Sequence, residues 1–132
     1  MARCRNNHEM SDYSLNFIDR GDYIELVKPI GTIRMIQKGN AETPMNWHDA
    51  MDYAKNLNLG GFTDWHIPTL EELKEIYKIQ KICGIEQSDD SWFWSSSSSV
   101  EDPNLASYIG FFRGMNGRNS KNGSFGCVRC VR

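Results

Sequence analysis

Gly60-Gly61-Phe62-Thr63-Asp64-Trp65-His66-Ile67-Pro68-Thr69-Leu70-Glu71-Glu72-Leu73 is the stretch from which the rest of the chain is best read. Its second half opens a helix. Thr69 stands at an N-cap with Glu72 three residues on, a spacing that lets each side chain take up a free backbone N–H of the first turn. Leu70, Leu73, Ile76, Tyr77 and Ile79 keep to one helical face, and Gly84 supplies a left-handed exit. Upstream, Asn46 and Asp49 repeat the capping pattern. Trp47, Ala50, Met51, Ala54 and Leu57 form a second apolar stripe, which Gly60-Gly61 is expected to end. Both stripes read as core. His66, between Trp65 and Ile67, reads as a buried, hydrogen-bonded histidine rather than a catalytic one, and His8 and His48 have no partner in sequence.

Working outward, residues 1–14 are polar and read as a flexible segment ahead of one domain spanning 15–132. Short apolar runs at 15–18, 23–27 and 32–36 are separated by the turn-forming Arg20-Gly21-Asp22 and Pro29-Ile30-Gly31, which predicts two or three short strands. Beyond Gly84 come Trp92-Phe93-Trp94, five consecutive serines at 95–99, and Tyr108-Ile109-Gly110-Phe111-Phe112-Arg113-Gly114. A Gly- and Asn-rich segment follows, in which Asn116-Gly117 and Asn122-Gly123 are both tight-turn signals. Residues 125–132 alternate like a strand. Strands, then two grouped helices, then strands again make an α+β fold.

The charge balance, 15 basic against 17 acidic residues, argues against nucleic acid or anionic lipid as a partner. Between 113 and 132, however, Arg113, Arg118, Lys121, Arg129 and Arg132 face no acid in sequence, an end that a polyanion could use. No run approaches the roughly 18 apolar residues of a membrane span. Residues 1–8 lack the apolar core of a secretion signal, so the expected setting is the cytoplasm or a larger surface or phage assembly. Of Cys4, Cys83, Cys127 and Cys130, the last two have C-x-x-C spacing. In an extended strand they point to opposite faces, so they read as structural cysteines rather than a metal or redox pair. No cofactor is called for.

In these residues the chain resembles the C-terminal domain of Legionella collagen-like proteins. Residues 60–73 are similar to that family's G-G-[YF]-x-D-W-R-[LI]-P-T-x-x-E-L signature, with His66 standing where the family usually has Arg. Phe93-Trp94-Ser95-Ser96 resembles its [YF]-W-S-S, and Val128-Arg129-Cys130-Val131-Arg132 its closing V-R-x-V-R. Trp47-His48-Asp49-Ala50 and Phe17-Ile18-Asp19 resemble its W-x-x-A and opening R-F-x-D, in the same order along the chain. The resemblance implies a C-type-lectin-like fold, two helices flanking small twisted antiparallel sheets, with a loop-rich C-terminal region as the ligand face. The variable proteins of diversity-generating retroelements share that fold.

The function so implied is a non-catalytic binding domain for a glycan, a polyanion or a protein. Its candidate ligand-binding residues are Trp92, Ser97, Ser99, Tyr108, Arg113, Met115, Asn116, Arg118 and Asn119. Aromatic and Arg side chains give contact area with few rotors to freeze, and Ser, Gly and Asn add adaptable hydrogen bonds. Ser97, Ser98, Ser99, Arg113, Arg118 and Asn119 are expected exposed, Trp94 and Phe111 buried. Alternatives are a retroelement-diversified binder of a protein ligand, and a structural or homo-oligomeric subunit. An enzyme of the formylglycine-generating type is disfavoured by the divergent cysteines, and no catalytic triad or phosphate loop is visible. Asp102-Pro103-Asn104 resembles a calcium-lectin triplet but reads as a turn, because the other oxygen ligands calcium needs are missing.

Overall fold

The first apolar runs pair as an antiparallel sheet because alternation gives each strand one apolar face. The computed structural model describes residues 2–5, 16–85, 91–110 and 114–132. Strands β1 (Ala2–Arg5), β2 (Asn16–Asp19), β3 (Tyr23–Ile30) and β4 (Ile33–Gln37) form a four-stranded sheet in that order. Helices α1 (Trp47–Asn56) and α2 (Leu70–Cys83) follow, and then β5 (Trp92–Ser98), β6 (Leu105–Gly110) and β7 (Met115–Ser120) make a second, three-stranded sheet. The architecture is α+β, with two helices flanking two small antiparallel sheets. Within the segment read as flexible, Ala2–Arg5 pair along β2, Cys4 opposite Phe17.

The capping reading of α2 holds in full. Thr69 accepts from the Glu72 backbone N–H, Glu72 accepts from that of Thr69, and Gly84 ends the helix at φ 68°. Helix α1 begins as expected, with Asn46 accepting from the Asp49 N–H, and buries Ala50 and Ala54. Its end differs. Leu57 leaves the helix in extended conformation, so Gly60-Gly61 are not its cap. At φ 65° and 84° they turn the chain between Leu59 and Phe62, whose backbones bond reciprocally at 3.1 Å. A Cβ on Gly60 would run into the Tyr23 ring, which explains a glycine there beyond its backbone angle.

Two buried clusters lie either side of an extended segment at 126–132. One joins Phe17, Ile24 and Ile36 of the first sheet to Leu73 and Ile76 of α2 and to Phe93 and Ile109 of the second sheet. The other joins Ala50 and Ala54 to Trp65, Ile67, Trp94 and Ala106. Residues 126–132 feed both by alternation, Cys127 and Val131 the first, Val128 and Cys130 the second. The segment was expected to be an ordinary strand, but it has no single partner. Gly126 bonds Met45, Cys127 bonds Trp92 and Trp94, Val128 bonds Ala41, Cys130 bonds Gln37, Val131 bonds His66, and Arg132 bonds Arg34 and Met35.

Arg129 is fully buried on the Cys127 side. Its Nε donates to Gly39 O at 3.0 Å and its Nη2 to Lys38 O at 3.2 Å, with the guanidinium 5.2 Å from the centre of the Phe93 ring. Desolvation pulls its pKa down to about 10. Arg132 is placed differently. It forks onto Asp64, Nη2 to Oδ2 at 3.0 Å, and lies 4.0 Å from the centre of the Phe62 ring.

Two expectations follow. Trp94 is fully buried and its Nε1 donates to Met45 O at 2.8 Å. Trp94→Ala is expected to cost about 3–5 kcal/mol in denaturant-induced unfolding. The Arg132 hydrogen bond holds the Asp64 carboxyl below its ordinary value, and Lys38 and the Gly21 N–H do the same for Asp19. A carboxyl lowered in the folded state stabilises it above the unfolded pKa, and that contribution disappears as pH falls through the lowered value. Thermal midpoints measured from pH 6 to about pH 2 should therefore fall less steeply in Asp64→Asn than in the wild type.

Candidate functional site

The second sheet sorts the candidate residues by its register. Trp92 pairs with Gly110, Trp94 with Tyr108, Tyr108 with Gly117, and Ala106 with Asn119. Strand alternation puts these on one face. Phe93, Ile109, Asn116, Ser107 and Arg118 occupy the other, through the pairs Phe93–Ile109, Ile109–Asn116 and Ser107–Arg118. A register shift between Trp94 and Ser98 then turns the end of β5. The turn is tied down by Ser95 Oγ donating to Ser107 O at 2.8 Å and Ser96 N donating to Pro68 O at 2.8 Å. Ser97 Oγ accepts from the Leu70 N–H at 3.1 Å, joining β5 to the start of α2.

A cavity of about 560 Å³ opens on the second of these faces, lined by Leu70, Ser98, Ser99, Val100, Glu101, Ser107, Asn116, Gly117 and Arg118. Its volume is in the range of small-ligand sites. Ser99 is its best-connected group, accepting from the backbone N–H of Glu101 and of Asp102 and from Arg118 Nη1, each at 3.3 Å. Arg118 also pairs with Glu101, so the wall carries one charge of each sign. Beneath it, buried Lys121 donates to Ser98 Oγ at 2.8 Å with its ammonium 4.2 Å from the centre of the Trp47 ring.

The structure thus brings Ser99, Asn116 and Arg118 together, with Ser97 bound to the backbone of the lining residue Leu70. It does not bring Trp92 and Tyr108 to them. Those rings pack on the opposite face, 4.9 Å apart, with Trp92 also 5.0 Å from Trp94. Gly117 and Gly126 make room for them, since a Cβ on either would collide with Tyr108 or Trp92. Hence Asn116-Gly117 is not a turn but part of β7, whereas Asn122-Gly123 does turn the chain. Met115 is exposed and Asn119 half-buried, both at register positions on the Tyr108 face. Arg113 and Phe111 lie outside the described residues.

Several exposures differ from expectation. Ser99 is buried and Ser97 half-buried, because the serine run is spent on internal hydrogen bonds rather than offered to solvent. His66 is exposed, since its backbone pairs with Val131 in extended form and alternation turns Trp65 and Ile67 inward instead. Its Nε2 sits 4.0 Å from Glu72 Oε1. The basic end is largely engaged: Arg118 on Glu101, Lys121 on Ser98 and Trp47, Arg129 on carbonyls, Arg132 on Asp64. Ser98, Val100, Glu101 and Ser107 complete the cavity. Sequence reasoning missed their role: the serine run was the visible signal, but nothing local links Glu101 to Arg118.

Asp102-Pro103-Asn104 is a turn, with Asn104 N donating to Asp102 Oδ1 at 2.9 Å and Leu105 N to Asp102 O at 3.0 Å. Among the described residues no group of three His, Cys, Asp or Glu is placed to hold a metal ion, and no helix is long and apolar enough to cross a membrane.

A family model described as the Lcl C-terminal domain matches residues 25–132. No curated protein matches the chain.

Cys127 and Cys130 contribute to different buried clusters, and burial pushes the Cys130 thiol up to about 12. Alkylation follows the thiolate population. Iodoacetamide at pH 8 should therefore leave Cys130 at least a hundredfold slower to react in the folded chain than in denaturant, read by peptide mass analysis.

Proposed function

The chain belongs to the Lcl C-terminal domain family, whose members are adhesin-like and non-catalytic, and from that premise we propose that it is a metal-independent glycan-recognition domain. The cavity between the start of α2 and strands β5, β6 and β7 is its binding site. One observation carries the reading: three hydroxyls, an amide and a self-neutralised Arg–Glu pair converge on about 560 Å³ of open space. Such a set offers directional donors and acceptors without net charge, which suits a polyol better than a protein hot spot, where buried aromatics dominate.

A neutral ligand is favoured over a polyanion because Arg118 already faces Glu101, Arg129 and Arg132 are engaged elsewhere, and buried Lys121 meets the cavity only through the Ser98 hydroxyl. An anion would have to displace Glu101 to gain Arg118. The same reading takes the fold to be C-type-lectin-like, which is supported by the two helices and the two small antiparallel sheets.

The test is a glycan array with the whole chain, with and without EDTA, repeated for Asn116→Ala/Arg118→Ala. Binding of neutral glycans is expected to survive EDTA and to drop at least tenfold in the double variant. Binding that the variant leaves unchanged, or that sulfated glycans alone show, would overturn the assignment.

A further inference from the structure

Asn116-Gly117 and Asn122-Gly123 have the same local chemistry and different surroundings. The backbone nitrogen that follows an Asn can attack the carbonyl carbon of the Asn side chain. A C–N bond forms, the proton of the attacking N–H passes through water to the departing amide nitrogen, and that nitrogen leaves as ammonia. Water then opens the resulting succinimide ring at either carbonyl, giving aspartate or isoaspartate, whose backbone runs through the side chain. Water is the only co-reactant. Glycine is the most permissive following residue, because no Cβ obstructs the approach of its nitrogen. Ring closure also requires the Asn backbone to rotate until that nitrogen faces its own side chain, which an extended, paired strand resists.

At Asn116-Gly117 the ladder stands in the way. Asn116 pairs with Ile109 and Gly117 with Tyr108, in a register unbroken from Leu105–Ser120 to Gly110–Met115. A Cβ on Gly117 would collide with the Tyr108 ring, so the packing accounts for that glycine. Asn116 is exposed, as Asn122 is, so solvent access does not separate the two sites.

Asn122-Gly123 lies in a turn with both residues exposed. The Gly123 N–H donates to Ser120 Oγ at 3.1 Å, a solvent-facing hydrogen bond. Such bonds open at far lower free-energy cost than a strand ladder. Nor does the fold require glycine at 123. Its φ is not among the left-handed ones, and a Cβ there would meet only the Ser120 side chain, 3.4 Å from Oγ and 3.9 Å from Cβ.

We infer that Asn122 is a site of spontaneous covalent modification in the folded protein, converting to aspartate and isoaspartate, and that Asn116 is protected from it. The product sets a carboxylate beside Lys121. The isoaspartyl form also adds one backbone atom to a turn that the Ser124 N–H closes on Ser120 O at 3.2 Å.

Trypsin separates the two sites, Asn116 in 114–118 and Asn122 in 122–129, or in 119–129 where cleavage after Lys121 is missed. The folded chain is aged at pH 8 beside a sample in denaturant, and both peptides are read by mass and by isoaspartyl methyltransferase labelling. Asn122 is expected to convert at least tenfold faster than Asn116 in the folded chain, and the two at rates within threefold of each other in denaturant. Gly123→Ala, which the open space at that position accommodates, is expected to slow conversion of Asn122 at least tenfold. Conversion of Asn116 as fast as Asn122 in the folded chain overturns the inference. So does an Asn122 that stays intact until the chain is denatured, or a folded Gly123→Ala chain that converts at the wild-type rate.

Discussion

Residues 126–132 tie β4, the loops ahead of both helices and β5 to one another. An extended segment surrounded by four others must satisfy its backbone on both sides, and here it does so with partners from β4, the loop before α1, His66 and β5. Its side chains alternate between the two buried clusters, as those of β4, β5 and β6 also do. The pairing costs ordering of several separate chain segments at once. The burial of Val128, Cys130 and Val131, together with the tryptophan and helix surfaces they cover, offsets that cost. The Arg132–Asp64 fork and the Phe62 ring then close the end of the segment onto the loop that precedes α2.

That arrangement positions the cavity. Cys127 runs parallel to Phe93 and bonds Trp92 and Trp94, so one edge of β5 is occupied by the segment and the other by β6. The register shift after Trp94 then carries the serines away from the ladder and over the first turn of α2, where Ser97 meets the Leu70 N–H. Gly126 belongs to the same unit: its missing side chain leaves the space in which Trp92 lies. The aromatic face is consumed in holding the sheet to α1 and the Trp65 loop. On the other face Phe93 and Ile109 pack against α2, and only the part that carries Ser107, Asn116 and Arg118 borders open space.

Buried polar groups are placed with the same economy. Arg129 donates to two carbonyls and Lys121 to a hydroxyl, each with an aromatic face nearby. Neither arrangement recovers the full hydration of a cation. Both draw loops inward, the Lys38–Gly39 backbone in one case and the end of β5 in the other, and both fix geometry that apolar packing alone would leave loose. The Lys121 contact reaches the cavity directly, through Ser98.

The sequence by itself determined the local elements: the capped start and glycine exit of α2, the start of α1, two or three early strands of the four in the first sheet, the Asp102-Pro103-Asn104 turn and the opposed facing of Cys127 and Cys130. These depend on periodicity, caps and backbone angles within a few residues, and such signals are written locally. Family likeness at 60–73 and 128–132 was legible too, but not that Asp64 and Phe62 in one motif meet Arg132 in the other. Tertiary structure alone decided that Gly60-Gly61 turns a loop rather than capping α1, that Asn116-Gly117 lies in β7 beneath Tyr108, that His66 faces out and Ser99 in, and that the candidate residues divide between two faces of one sheet. Each of these depends on which distant backbone or ring occupies the neighbouring space, and that is a property of the packed chain rather than of any stretch within it.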